Sequence, residues 1–248
     1  MKLRNTIALS AFVLVAWYGN ISCKKLLDKI ADCRIETITE PYPSGNRVST
    51  IAYNNDGNIS TYTVSFGSTL SSKVFNYSGN TIIINTTISS GSGSTSYMDS
   101  VTTNGQGRAL NLRQYSADRS TFTNTRFEYN GEDLVRLYQT NETGDPAVLT
   151  TVTTTNGNVV RLESASGTAI LEYYANEEFQ EGDYLHIVTL SLYGVPIYPH
   201  KNLIKTIDDG TGNIVNFSYE KNIDGLVTKV NVTSATSVSS YSYTYKCD

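Results

Sequence analysis

The chain contains the stretch Phe127-Glu128-Tyr129-Asn130-Gly131-Glu132-Asp133-Leu134-Val135-Arg136-Leu137, which decides the fold. In a β-strand, Phe127 and Tyr129 have the same parity, so both rings point to one face. Asn130-Gly131 then stands at a bend, because Asn and Gly tolerate positive φ. The residues from Leu134 to Leu137 form the returning strand. The stretch therefore predicts a β-hairpin.

The same hairpin signal recurs along the chain. Three copies, Phe75-x-Tyr77-Ser78-Gly79, Val101-x-Thr103-Asn104-Gly105 and Phe127-x-Tyr129-Asn130-Gly131, align with a period of 26 residues. Related copies precede Asp56-Gly57 and Asp224-Gly225. A fixed period indicates stacked supersecondary units, although any antiparallel meander also has regular spacing. Both interpretations lead to the same fold class.

The composition supports an all-β fold. Charged residues make up 17% of the 248 residues, and Thr, Ser, Asn and 18 Tyr take up the difference. Thr and Tyr suit a half-exposed pleated surface, whereas Asn, Ser and Gly suit turns. We predict one antiparallel meander of about 14–16 strands, forming a curved sheet or partly closed barrel. A β-sandwich is the alternative. The formal charge of −4 and the lack of a basic run beyond Lys24-Lys25 give no footprint for nucleic acid.

The N-terminus has the features of a bacterial lipoprotein signal. Lys2 and Arg4 precede an apolar run from Ile7 to Trp17, which is too short to span a bilayer. Asn20-Ile21-Ser22-Cys23 follows and resembles a lipobox, which implies lipidation of Cys23. An ordinary secretory signal cleaved nearby is the alternative. We divide the chain into a signal at 1–22, a tether at 23–32 and one β domain at 33–248.

Cys33 and Cys247 are the other two cysteines of the chain. In an oxidising cell envelope, an even pair predicts a disulfide, which here would tie the first ordered residues to the last strand. Two separate thiols are the alternative.

Three segments have their own expected conformations. We expect a flexible loop at Ser89–Ser96, which reads SSGSGSTS, and a strand at Tyr184–Leu192. The segment Tyr193–Thr206 contains Pro196 and Pro199, which deny ladder hydrogen bonds. We expect it to plug or cover one end of the sheet, with a short helix or turn at Asn202–Ile207.

These features together resemble a family of uncharacterised Gram-negative envelope lipoproteins, a domain of unknown function with a porin-like β fold. The resemblance rests on the lipobox, the repeated aromatic-x-Tyr hairpins, the late Pro199-His200-Lys201-Asn202-Leu203 segment and the terminal Tyr243-x-Tyr245-x-Cys247. It spans residues 33–248 and implies a cell-envelope location as an outer-membrane lipoprotein, periplasmic or surface-exposed. The hairpins also resemble YD-type repeats of large shell-forming proteins. The family has no assigned catalytic residues to carry over.

Catalytic motifs give little support for an enzyme. The chain has no G-x-S-x-G, H-E-x-x-H or C-x-x-C sequence, and its two histidines, His186 and His200, lie fourteen residues apart. Paired carboxylates are the usual start for a glycosidase. The acidic loop at 177–183 offers Glu177, Glu178, Glu181 and Asp183, although a solvated loop explains them as well. We predict no cofactor and no metal.

Aromatic side chains are the better candidates for binding. Three pairs are expected to share one face of the sheet and to line a core or a cavity: Phe75 and Tyr77, Phe127 and Tyr129, Phe217 and Tyr219. Such a surface suits a glycan or an apolar small ligand. Asp99-Ser100-Val101 resembles a short signal for O-glycosylation at Ser100.

We therefore expect a non-enzymatic lipoprotein, held to the outer membrane through Cys23, that presents a Tyr-rich concave sheet to a ligand. One alternative is a structural or surface-interaction protein similar to an adhesin, and another is a hydrolase that uses the acidic loop. The sequence does not fix the ligand, a partner protein or the oligomeric state.

Overall fold

A computed structural model describes residues 33–143 and 146–247 of the chain. This part contains sixteen β-strands and one helix. The strands are β1 Cys33–Tyr42, β2 Gly45–Tyr53, β3 Ile59–Phe66, β4 Thr69–Ser78, β5 Thr81–Ser90, β6 Gly93–Thr103, β7 Ala109–Tyr115, β8 Phe122–Asn130, β9 Asp133–Asn141, β10 Pro146–Thr155, β11 Asn158–Ser164, β12 Gly167–Glu178, β13 Asn202–Asp208, β14 Ile214–Lys221, β15 Val227–Thr233 and β16 Val238–Cys247. The helix α1 is Tyr184–Tyr193.

The strands form one closed antiparallel barrel. Each strand pairs with its neighbours in sequence, and β16 closes the circle by pairing with β1. The predicted all-β meander is therefore confirmed, and a closed barrel replaces the alternative of a sandwich. Closure matches the physics of a long sheet, because accumulated strand twist curls it until the two edges meet. The predicted signal at 1–22 and tether at 23–32, with Cys23, lie outside the described residues.

A disulfide links β1 and β16, the two strands whose pairing closes the barrel. Cys33 and Cys247 are register partners at the ends of β1 and β16, and their sulfurs are 2.00 Å apart. The bridge joins residues 214 positions apart in sequence. In the chain-entropy model, closing such a long loop stabilises the folded state by about 5 kcal/mol. The same bridge marks one end of the barrel, which we call the disulfide end; the opposite end is the mouth end.

The turns have the chemistry that the sequence indicates. Gly131 follows Asn130 between β8 and β9 and has φ of 61°, so the hairpin prediction is confirmed there. The expected loop at Ser89–Ser96 is wrong in extent, because β5 continues to Ser90 and β6 begins at Gly93. Ser and Thr in this segment pair across the hairpin instead of leaving the sheet.

The two faces of the barrel wall differ in polarity. The inner face is apolar and contains fully buried side chains from both halves of the chain: Ile35, Ile84, Val101, Leu134, Val159, Leu203, Ile204, Val227 and Val230. The outer face is mainly polar, although exposed apolar side chains such as Leu70, Val74 and Ile170 also lie on it. Exposed polar residues on three strands illustrate this: Asn85 and Thr87 of β5, Asn216, Ser218 and Glu220 of β14, and Ser242, Thr244 and Lys246 of β16. The core of this protein is therefore the lumen of its barrel.

A ring of hydroxyl groups reinforces the disulfide end. Each even-numbered strand carries, in its second half, a Tyr or Thr whose hydroxyl donates to a backbone carbonyl near the start of the preceding odd-numbered strand. The pairs are Tyr53 to Ile35, Tyr77 to Ile59, Thr103 to Asn80, Tyr129 to Ala109, Thr154 to Leu134, Tyr173 to Val159, Tyr219 to Ile204 and Tyr245 to Val227. These bonds are 2.5–3.3 Å long. The recurring tyrosines of the sequence therefore bond neighbouring strands to each other.

The segment between β12 and β13 fills the lumen, and its secondary structure differs from the prediction. Tyr184–Tyr193 is a helix and the predicted strand is wrong. Asp183 caps its start by accepting the N–H of His186 at 3.1 Å, and Gly194 ends it with φ of 73°. The helix is apolar on most sides, which fits its place inside the barrel. Asn202–Asp208 is strand β13, paired with β12 and β14, and not a short helix or turn.

Candidate functional site

Helix α1 crosses the lumen from one wall to another. At its start, the ring of Tyr184 lies 5.2 Å from Phe217 of β14 and 5.3 Å from Tyr241 of β16. At its end, the backbone carbonyl of Leu192 accepts a hydrogen bond of 3.3 Å from Lys73 of β4. Ten residues of helix span about 15 Å, enough to bridge these walls. The helix thus divides the lumen into two unequal parts.

The larger part forms a cleft of about 630 Å³, which we call the large cleft. Its walls are β1 to β5, β16 and one side of α1. The apolar lining comes mainly from Ile38, Val64, Phe66, Ile88, Ile187 and Leu192. Tyr42 and Phe66, with ring centroids 5.1 Å apart, end strands β1 and β3 at the mouth end. A cleft of this volume, apolar with a few polar groups, has the usual profile of a small-molecule site.

Charged and hydroxyl groups stand among these apolar side chains. Glu40 and Arg47 are cross-strand partners on β1 and β2, with Nη1 of Arg47 3.4 Å from Oε2 of Glu40. The side chain of Glu40 is 6% exposed, whereas that of Arg47 is 44% exposed. Burial and the neighbouring Tyr184 and Glu40 raise the pKa of Tyr241. This wall can therefore offer both donors and acceptors to a bound molecule.

Lys73 supplies a second cation deeper in the large cleft. Burial lowers the pKa of Lys73, while the charge of Asp99 on β6 acts in the opposite direction. Burial likewise raises the pKa of Asp99. None of the ion pairs formed by the described residues includes Lys73.

The other side of α1 faces a second opening of about 410 Å³, which we call the small cleft. Its walls are β7 to β10 and the residues Ile197 and Tyr198 after the helix. Val188 and Leu192 of α1 line both clefts. These two residues are one helical turn apart, so they form a ridge between the clefts.

Below the clefts, Asp183 ties the helix to the barrel wall. Its side chain is fully buried and its Oδ2 accepts the N–H of Ile204 at 2.9 Å and the hydroxyl of Tyr219 at 3.1 Å. Nε2 of His200 lies 3.0 Å from Oδ1. Burial acts to raise the pKa of Asp183, but the contact with His200 and the backbone N–H donors outweigh it, so that pKa is lowered.

The two histidines do not form a catalytic arrangement with a nucleophile. Nδ1 of His200 contacts the carbonyl oxygen of Tyr198 at 2.9 Å, so both of its ring nitrogens face groups of the core. His186 packs edge-on against Phe179 with centroids 4.8 Å apart. Burial and the nearby His200 lower the pKa of His186 to about 4. Both rings therefore contact other residues of the plug segment at the disulfide end, where they also line an opening of about 560 Å³.

The six aromatic residues singled out from the sequence all face the lumen. Phe75, Phe127 and Phe217 are buried in the core, and Tyr77, Tyr129 and Tyr219 pack against it. Phe127 also lines the small cleft. The hydroxyls of the three tyrosines all bond to backbone carbonyls of neighbouring strands. The structure therefore brings the six residues to one face, towards the disulfide end.

The acidic residues at 177–183 are dispersed. Glu177 and Glu178 end β12, and Glu177 pairs with Lys221 of β14. Asp183 is buried and Glu181 is half-buried, so the interpretation as a solvated loop is wrong for Asp183. Burial raises the pKa of Glu181, opposed by the charge of Arg34. Ser100 lies within β6, paired with Ile83 and Arg113, on the outer face.

The residues that line the large cleft were not predicted from the sequence. Glu40, Arg47 and Lys73 look like ordinary strand residues, and their common location depends on the barrel register. A weak signal was available, because Glu40 and Arg47 flank the Pro43-Ser44 turn with the parity of an inward pair. Within the described residues, α1 is too short to cross a membrane, and no cluster of His, Cys, Asp or Glu forms a metal site.

Solved structures resemble this chain in fold, at low sequence identity. No protein-family model and no curated protein matches the chain. A porin-like protein from Bacteroides uniformis ATCC 8492 is 16% identical with a TM-score of 0.61, over 86% of this chain and 98% of that one. A porin-like protein from Bacteroides vulgatus ATCC 8482 is 14% identical with a TM-score of 0.56, over 86% and 98% of the two chains. The chain therefore has a porin-like β-barrel fold.

Proposed function

We propose that the chain is a non-enzymatic outer-membrane lipoprotein that holds a small apolar ligand in the large cleft. The observation that carries this proposal is the cleft itself, an opening of about 630 Å³ whose exposed surface is mostly apolar and also carries charged and hydroxyl groups. Its position between the barrel wall and α1 gives a ligand contacts on several sides. Preformed concave sites of this kind are the usual place for small molecules.

The barrel is better suited to holding a ligand in its lumen than to conducting solutes across a membrane. A transmembrane barrel has an apolar outer band with aromatic girdles and a polar lumen. Here the polarity is the reverse, with Thr, Ser, Asn and charged residues outside and an apolar core inside. In addition, α1 and the segment after it occupy the lumen. These features favour a barrel that stands in water beside the membrane, with an acylated Cys23 as its anchor.

The alternatives have less support. A hydrolase would need two carboxylates facing each other across an open cleft, whereas Asp183 is buried and already bonded to its neighbours. A glycan would be expected to engage exposed flat rings and many polar groups. Although tyrosine rings and charged groups also line the large cleft, most of its exposed surface is apolar, which favours an apolar ligand.

Ligand binding can be tested with cis-parinaric acid, whose fluorescence rises in an apolar site. The binding test would use a protein of residues 24–248. The described residues between 33 and 247 close into a barrel in which every strand is paired on both sides. Ser71 lines the large cleft from β4, so Ser71→Trp fills the cleft and should abolish the fluorescence change. Ser72 faces outward on the same strand, so Ser72→Trp is the matched control and should bind like the parent. Equal binding by both variants would contradict the proposal.

Anchoring is tested separately in cells. Radiolabelled palmitate should enter the full chain, and Cys23→Ala should prevent that labelling. Several acyl chains anchor a protein stably, whereas one binds only marginally. A parent protein that takes up no label would overturn the lipoprotein part of the proposal.

A further inference from the structure

The geometry of the lumen points to a ligand with two apolar chains and one anionic head group, seated astride α1 with its head at Lys73. This inference rests on the proposed function and names the chemical class of the ligand. It is carried by the shape of the two clefts, the uncovered apolar ridge between them and the position of one cation.

The two clefts are arms of a single divided site. Val188 and Leu192 line both of them, so only this ridge of α1 separates the arms. The arms measure about 630 Å³ and about 410 Å³, and each lies in the size range of small-molecule sites. A molecule with one chain would occupy one arm and leave the other hydrated. A molecule with two chains could place one in each arm.

The ridge is apolar and uncovered. Leu192 is 37% exposed although it lies inside the lumen, and Ile88 on the wall of the large cleft is 38% exposed. Such side chains face water in the free protein, so covering them gains hydrophobic free energy. Chains that pass on either side of α1 would cover this ridge together with the walls.

Lys73 marks where the head group would lie. Its ammonium donates to the carbonyl oxygen of Leu192, the residue that forms the end of the ridge. An ammonium has three donors, and this contact uses one of them. The charge of Asp99 acts on Lys73, yet among the described residues the two form no ion pair within 4.0 Å. A phosphate or carboxylate at this point would accept the remaining donors and lie beside Leu192, at the end of the ridge between the arms.

The test uses residues 24–248 and native mass spectrometry to measure the dissociation constants of defined lipids. Phosphatidylglycerol has two chains and an anionic head, lysophosphatidylglycerol has one chain and the same head, and phosphatidylcholine has two chains and a zwitterionic head. We expect phosphatidylglycerol to bind most tightly. Lys73→Met should weaken its binding about tenfold, as expected for losing a hydrogen bond to a charged group. The control Lys205→Met removes a half-exposed lysine of β13 and should have no effect.

A second variant tests the two arms separately. Thr125 lines the small cleft from β8, whereas Asn124 is its outward neighbour. Thr125→Trp should weaken phosphatidylglycerol about tenfold and leave lysophosphatidylglycerol unchanged, and Asn124→Trp should change neither. Equal affinity for the one-chain and two-chain lipids, or no effect of Lys73→Met, would overturn this inference while cis-parinaric acid still binds. If no amphiphile binds, including cis-parinaric acid, the proposed function itself is overturned.

Discussion

Asp183 and Ile204 are joined by a hydrogen bond of 2.9 Å from the backbone N–H of Ile204 to Oδ2 of Asp183. Asp183 is the N-cap of α1, and Ile204 is in strand β13, so one buried carboxylate fixes where the helix starts and where the chain rejoins the wall. The floor of both clefts depends on this contact, because it determines the position of α1 in the lumen.

Asp183→Ala should lower the free energy of unfolding by roughly 2–4 kcal/mol, since it removes a helix cap and leaves a buried N–H without its acceptor. Urea denaturation followed by circular dichroism would measure the change. Asp209→Ala is the control, because Asp209 accepts hydrogen bonds in an exposed turn, and it should cost less than about 1 kcal/mol. Similar losses for both variants would show that Asp183 does not hold the plug.

The hydroxyl ring at the disulfide end should have a measurable effect on stability. Tyr129→Phe removes the bond to the carbonyl of Ala109 and should lower the free energy of unfolding by about 1 kcal/mol. Tyr219→Phe should lower it by roughly 2 kcal/mol, because that hydroxyl also faces the buried carboxylate of Asp183. Tyr138 faces outward on β9, so Tyr138→Phe serves as the reference. If all three variants unfold at the same urea concentration, the hydroxyls add nothing to the barrel.

His186 should make the barrel less stable as the pH falls. Its pKa is about 4 in the folded protein against 6.5 for the ordinary side chain. The unfolded chain therefore binds a proton first, and stability is lost as the pH falls from about 6.5 towards 4, by up to about 3 kcal/mol.

His186→Gln should remove this part of the pH dependence. The informative quantity is the difference between parent and variant, since Glu181 and Asp99 have raised pKa values and oppose the trend. The carboxylate of Asp183 loses its stabilising effect only at lower pH, as its pKa is lowered. Parallel stability curves for parent and His186→Gln between pH 7 and 4 would contradict the prediction.

A substitution at Gly131 tests the predicted turn between β8 and β9. A Cβ added there would meet no atom within 4 Å, so Gly131→Val probes the backbone alone at φ of 61°. We expect a loss of roughly 1–3 kcal/mol in thermal or urea unfolding. Gly91 has the same free space without a positive φ, so Gly91→Val should be close to neutral. The hairpin interpretation fails if Gly131→Val is as stable as Gly91→Val.

Parts of the barrel could be predicted because strand signals are local. Phe127 and Tyr129 indicate the inward face by parity alone, and Asn130-Gly131 indicates the turn. The helix Tyr184–Tyr193 could not be predicted in this way, because Ile187, Val188 and Thr189 are β-branched and favour a strand. Its conformation follows from the Asp183 cap, the Gly194 terminus and burial inside the barrel.

The large cleft could not be predicted from local sequence patterns, for a different reason. Glu40, Lys73 and Leu192 come from distant parts of the chain and meet only when the register and closure of sixteen strands are fixed. The hydroxyl ring has the same origin. Each of its bonds joins residues 14–23 positions apart, a relationship that depends on how neighbouring strands are staggered.

Fluorescence quenching tests the central claim, that the large cleft holds an apolar ligand. The one tryptophan of the sequence, Trp17, lies in the predicted signal, so residues 24–248 have none. Phe66→Trp places a single fluorophore on the wall of the large cleft, and Ser65→Trp places one on the outer face of the same strand. Titration with a fatty acid brominated along its chain should quench the tryptophan of Phe66→Trp and leave that of Ser65→Trp unchanged. Equal quenching of both, or of neither, would contradict the account.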